Sequence, residues 1–302
     1  MTAQFTHTPY DGSAEPFAIG LRQLNLADWI EVDGALFRYL DEKERLWRDA
    51  RERVFVATQA SLPAQQEVLR LVAEHLPERF PEIYRRDGDR MAVGTDREVD
   101  LRDPAVPSLF TAARLVQEDL VVMERAPDGW RLTAASLSFP SSWSLLEKFD
   151  RPLETIHATV PGFGAGTRNA ELISRMFDNL RPDRHVWRLN WSIYQDGELH
   201  HPAAKNGGDG PLADIFDPLS TFIRVEKQTL RRLPETGGML FTIRIFVDPL
   251  GALVEHGDGP RLAAGLATQL RALSEEQAAY KGLTARREAL VAALERLETA
   301  GG

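Results

Sequence analysis

The stretch HVWRLNWSIY (185–194) constrains the fold more than any other part of the chain. Its side chains alternate cleanly: Trp187, Leu189, Trp191 and Ile193 fall on one face, and Arg188, Asn190, Ser192 and Tyr194 on the other. That period of two predicts a strand in a sheet whose two faces meet different surroundings. Two further strand-like runs follow it, TFIRVEKQTLRRL and MLFTIRIFV, joined by the turn PETGG. Upstream, DLVVMERA and WRLTAASLSF flank Pro127-Asp128-Gly129 and read as a hairpin. Between the hairpin and the later strands, residues 141–180 are helical or irregular, with TRNAELISRMFDNL as the clearest helix. Leu172, Ile173, Met176, Phe177 and Leu180 are its expected buried face.

Helical patterns flank the strands. Residues 41–57 and 61–76 read as helices, the second with Ser61 as cap, Pro63 in the first turn and Pro77 as its expected end. A short helix is expected from Ser108. The tail is helical from about Arg261, with a break at Gly282 and a cap at Thr284. The predicted architecture is therefore α+β: a five-stranded antiparallel sheet, a helical insert between strands 2 and 3, and flanking N- and C-terminal helices. This strand–strand–helices–strand–strand–strand order is similar to a PAS-type sensor domain, with a cavity expected between sheet and insert. A single domain, 1–302, is expected, with an N-terminal helical part (1–117), a sheet core (118–250) and C-terminal helices (251–302).

The chemistry this chain can perform is limited by what it lacks. It has no cysteine, which removes disulfides, thiolate metal sites and a cysteine nucleophile, and fits a cytoplasmic setting. The formal charge of −9 argues against general nucleic-acid binding, which needs a basic face. The N-terminus has no signal-peptide pattern, and no apolar run approaches the ~20 residues of a membrane span. No G-x-S-x-G marks a serine nucleophile; SFPSSWS reads as a turn after a strand.

Among the seven histidines, none forms H-E-x-x-H or pairs at ligand spacing. His75 falls on the apolar side of its helix, which suggests packing. His157 lies in LETIHATVPGFGAGT, where glycines lead into a helix as in a dinucleotide loop. The spacing there is G-x-G-x-G, with Thr167 where a third glycine should stand, so a turn into the helix explains it more simply. In FIRVEKQTLRRL, Phe222, Arg224, Glu226, Gln228 and Leu230 share one face. Such a polar face is either solvent-facing or the wall of a pocket for a small molecule.

Taken in order, several fragments resemble one known family: QEDLVVMERAPDGWRLTAASLSFPSSW, EKFDRPLETIHATVP, RLNWSIY, RVEKQTLRRLPETGGMLFTIRIF and the N-terminal GLRQLNLADWIEVD. The series is similar to the haem-binding alpha subunit of haem-dependent oxidative N-demethylases of the dimethylamine monooxygenase type, over most of the chain. The resemblance implies a PAS-like domain binding haem b, whose iron activates O2 while a small secondary alkylamine loses a methyl group as formaldehyde. It also implies reductase partners carrying flavin and an iron–sulfur cluster, with electrons from NADPH.

With no cysteine to offer a thiolate, an imidazole is the natural axial ligand. His157, within the matching IHATVP segment, is the residue the resemblance points to. Arg224 and Arg231 match the R-V-E…L-R-R-L-P stretch and could meet the haem propionates, although alternation puts them on opposite faces. Asn190 and Trp191 are also on opposite faces, so one could line the pocket while the other packs. Glu226 and Tyr194 are the candidates for orienting a cationic amine. A haem sensor of PAS type, or a small-ligand binder without turnover, is the alternative reading.

Overall fold

The computed structural model describes residues 5–13, 15–203 and 217–300. Its elements run in chain order: β1 (Arg22–Gln23), α1 (Leu36–Val54), β2 (Phe55–Ala57), α2 (Leu62–Arg79), β3 (Tyr84–Asp87), β4 (Arg90–Val93), β5 (Arg97–Asp100) and α3 (Ser108–Ala113). The hairpin β6 (Asp119–Ala126) and β7 (Gly129–Ser136) follows, then the insert of α4 (Leu145–Lys148), α5 (Leu153–His157) and α6 (Arg168–Asn179). The long strands β8 (His185–Tyr194), β9 (Phe222–Arg232) and β10 (Met239–Pro249) lead to α7 (Gly259–Ala272), α8 (Glu275–Tyr280) and α9 (Arg287–Ala300).

The protein is α+β, but its main sheet has seven strands rather than the expected five, in the order β1-β8-β9-β10-β6-β7-β2. All its pairings are antiparallel. The two extra strands are short edge pieces from the N-terminal part. β2 is the end of the stretch expected to be helical through residue 57. The helix stops at Val54, and Phe55–Ala57, an aromatic and β-branched run, pairs with Ala134–Ser136 instead. A separate meander, β3-β4-β5, was not evident in the sequence because its strands are only four residues long and two of them, YRRD and REVD, are mostly charged. Pro77 does not end α2 as expected; it sits in the last turn, where the missing N–H disturbs little that follows, and the Phe80 N–H to the Leu76 carbonyl closes the helix.

The register fixes which side chains share a face. Asn190 lies opposite Glu226, Arg188 opposite Gln228 and Ser192 opposite Arg224; Glu226 in turn lies opposite Ile245. On this face the apolar residues Val121, Met123, Leu230, Met239, Ile243 and Ile245 pack with Leu145, Leu153 and Phe177 of the insert. The opposite face is covered twice. Leu120, Val122 and Leu240 meet α2 and α3, while Trp191, Ile193, Ile223 and Val225 meet α7 and α9.

In the insert, Gly162 and Gly166 take φ values of +78° and +79° and turn the chain into α6. Thr167 caps that helix by accepting from the Ala170 N–H. Leu172, expected on its buried face, is 37% exposed; Phe177 carries the burial, with Ile173 and Met176 at its margin.

A buried charge network ties the N-terminal segment to the second face. Lys227 pairs with Glu31, which also accepts from His7 Nε2 at 2.9 Å, and Arg244 pairs with Asp33 at 2.7 Å. Burial alone would raise the Glu31 carboxyl, but hydrogen bonds from His7 and Lys227 and the Lys227 charge hold it down to about 2. A carboxylate lowered on folding stabilises the fold above its ordinary value near 4.5, and that contribution is lost as pH falls towards 2. Urea denaturation should therefore show wild type more stable than Glu31→Gln by on the order of 2–3 kcal/mol at pH 6, with the gap closing on acidification. A gap independent of pH would refute this assignment.

Candidate functional site

His157 is the last residue of α5, a five-residue helix of the insert begun by Pro152, and it is half-buried. Burial, then the nearby charges of Lys148 and Arg188, push its imidazole down to about 4, against a hydrogen bond to the Leu153 backbone that acts the other way. A bond that favours the protonated ring is one in which a ring N–H donates to the Leu153 carbonyl. The ring is therefore neutral at physiological pH, held by one nitrogen, and carries a lone pair on the other.

Three of the elements around it supply charge. Lys148 ends α4, with its ammonium 4.7 Å from the Trp143 ring. Arg188 projects from β8 on the same face as Asn190 and Tyr194. Its guanidinium is disfavoured by burial and supported by Glu226, and its Nε has no hydrogen-bond partner. Glu226, on β9, is 6% exposed and accepts from Gln228 Nε2 at 2.6 Å and from Asn190 Nδ2 at 3.4 Å. Its negative charge also acts on Lys148, Arg188, Arg224, Tyr194, Tyr280 and Lys281. A buried carboxylate among several cations is a preformed holder for a further polar group.

Tyr194 stands at the end of this face. Its hydroxyl is 2.8 Å from Ser142 Oγ, its ring is 4.3 Å from that of His201, and burial raises its pKa. Arg224 lies beside it, 5.5 Å from the Tyr194 ring, and is 1% exposed. Its donors are engaged by the protein itself: Nε with Ser141 Oγ (2.9 Å), Nη1 with the Glu198 carbonyl (3.2 Å), and Nη2 with the Phe139 (2.8 Å) and Leu199 (3.0 Å) carbonyls. Arg224 thus pins two loops to the sheet.

His157, Asn190, Tyr194, Arg224 and Glu226 are accordingly brought to one side of the sheet. Trp191 and Arg231 are on the other. Trp191 donates from Nε1 to Gln269 Oε1 at 2.6 Å among the C-terminal helices. Arg231 covers the Trp29 ring at 4.6 Å, beside His75, whose ring packs 5.1 Å from the same tryptophan. Arg188 and Lys148 were not singled out from sequence. Arg188 was legible on the polar face of β8, but only the folded insert brings Lys148 and His157 to it.

A family model described as haem-dependent oxidative N-demethylase, alpha subunit-like, matches residues 20–291. The chain belongs to this family. The match spans β1 to β10, the whole insert and the start of α9, so the residues around His157 lie inside it. For this family member, haem dependence and an oxidative N-demethylase-like role follow at family level. Among the described residues no three His, Asp or Glu side chains group so as to hold a metal ion. Among the same residues no helix is long and apolar enough to cross a membrane.

Proposed function

We propose that this chain is the haem-carrying oxygenase subunit of an N-demethylase acting on a small secondary alkylamine such as dimethylamine, with haem b between the sheet face of Arg188 and Glu226 and the PAS-like insert. The observation that carries the reading is His157: a neutral imidazole, tethered through one ring N–H, facing a wall of buried charge inside the matched region. The residues present suit a haem. The unpartnered Arg188 Nε and the Lys148 ammonium are the cations available for two propionates, and His157 offers the axial nitrogen.

Bound haem would supply the iron that activates O2 for oxidation of the amine's methyl group. The chain's own residues would do the rest. Glu226 would receive the ammonium of the amine, its carboxylate already oriented by Asn190 and Gln228. The Tyr194–Ser142 hydroxyl pair would hold a proton at the pocket's end. Arg224 would keep loops 139–141 and 198–199 closed against water, and Trp191 and Arg231 would brace the wall from behind. Electrons would come from NADPH through partner subunits carrying flavin and an iron–sulfur cluster.

The test is turnover. Haem-loaded protein given electrons, O2 and dimethylamine should release formaldehyde in proportion to amine consumed. A spectral response to the amine with no formaldehyde would replace this reading with a sensor. Glu226→Gln should keep the haem spectrum while lowering kcat/KM for the amine by about 10- to 100-fold, since the charge that orients the ammonium is gone and its shape is kept. An unchanged kcat/KM would remove Glu226 from the mechanism.

A further inference from the structure

The N-terminal segment crosses the C-terminal helices as a strap before it reaches β1. Phe5 and Tyr10 are buried with α7, and the Pro9 carbonyl accepts from Gln269 Nε2 at 2.9 Å. Gly265 of α7 allows the close approach, because a Cβ there would overlap the Asp11 backbone. Phe17 packs edge-on against Tyr280 at 5.7 Å.

Between this strap and β8 lies a cavity of about 110 Å³. That is several times the ~10–15 Å³ that one water requires. β1 pairs only with Val186 and Trp187, so the edge of β8 beyond them is left to other groups. Lys281 covers it: its ammonium donates to the Trp191 carbonyl and lies 4.5 Å from the Trp191 ring and 5.0 Å from the Phe17 ring. Phe17, Trp187 and Trp191 form apolar walls, and Arg22 stands on the rim. The lining carries the cations Arg22, Arg188 and Lys281 and the exposed carboxylate of Glu15, while the buried Glu226 acts on Arg188 and Lys281.

We propose that this cavity is a second small-molecule site, which takes a compact organic monoanion such as a short carboxylate, its charge towards Lys281 and Arg22 and its apolar part between Phe17 and Trp187. Lys281 is 5% exposed, and burial holds its amine down to about 8, against the charge of Glu226. Aromatic walls favour an anion with an apolar body over an inorganic one. The site lies at the strand edge, and the residues assigned to the anion, Lys281 and Arg22, are not those assigned to haem.

Saturation-transfer difference NMR with sodium acetate on the full chain, without haem and at constant ionic strength, tests the proposal. The expected result is a saturable acetate methyl signal, at least about tenfold weaker in affinity in Lys281→Met and severalfold weaker in Arg22→Gln. Arg22 is exposed, so its variant reports on the site even if Lys281→Met does not fold. A signal that never saturates, that chloride removes equally well, or that persists at full affinity in Arg22→Gln and in folded Lys281→Met would overturn the proposal. Haem binding through His157 would be untouched by that failure.

Discussion

Replacing His157 with alanine is expected to lower haem affinity by about 100-fold or more and to remove the histidine-ligated Soret spectrum while the fold persists. The side chain ends a short helix and is only half-buried, so its loss removes little packing. What it removes is the lone-pair nitrogen, oriented by the hydrogen bond from the other ring nitrogen to the Leu153 carbonyl. Added imidazole should enter the space left and restore part of the spectrum. The pH response follows from the same residue. A ligand must be neutral, and burial together with Lys148 and Arg188 keeps this ring neutral down to about 4. The ligated spectrum should therefore survive at pH 5, where an ordinary histidine is mostly protonated, and be lost near pH 4. Loss at pH 6 would mean that the imidazole is not in this environment.

Arg224→Met should be the most destabilising single change on this face, costing about 3–5 kcal/mol. The side chain is 1% exposed, and its removal takes the Arg224 donors from the Phe139 and Leu199 carbonyls and leaves the Glu198 carbonyl with His201 Nε2 alone. Methionine keeps much of the volume, so the cost reports the lost hydrogen bonds rather than a cavity. The midpoint of thermal unfolding should fall by about 5–8 °C, scaled for a chain of this size. Arg231→Met provides the contrast. Its guanidinium covers Trp29 on the other face, and the expected cost is about 1 kcal/mol with haem binding unchanged. If Arg224→Met melted like wild type yet failed to bind haem, Arg224 would be a cofactor ligand and not the pin described above.

The alternation within 185–194 carried much of the architecture, because a period of two leaves no freedom about which side chains share a face. It set Asn190 and Tyr194 apart from Trp191, as the same alternation set Arg224 and Glu226 apart from Arg231, and the register then puts Asn190, Tyr194, Arg224 and Glu226 on one face. Local patterns misjudged places where tertiary pairing decides. Phe55–Ala57 leaves its helix because β7 offers an open edge, and α2 runs through Pro77 because only its last turn remains. The meander at 84–100 is built of strands too short, and in two cases too charged, to read from the pattern. The site was half legible for a similar reason. His157 could be chosen by its segment, but its closeness to Lys148 and Arg188 depends on how a stretch with weak periodicity folds back on the sheet.

The central claim is that haem binds between the insert and the sheet face of Arg188 and Glu226. Titration of the full-length chain with haem, followed by absorbance, tests it most directly. The expected result is a Soret band that saturates at one haem per chain, absent in His157→Ala and weakened in Arg188→Met. A band that rises without saturation, or one identical in wild type and His157→Ala, would contradict it.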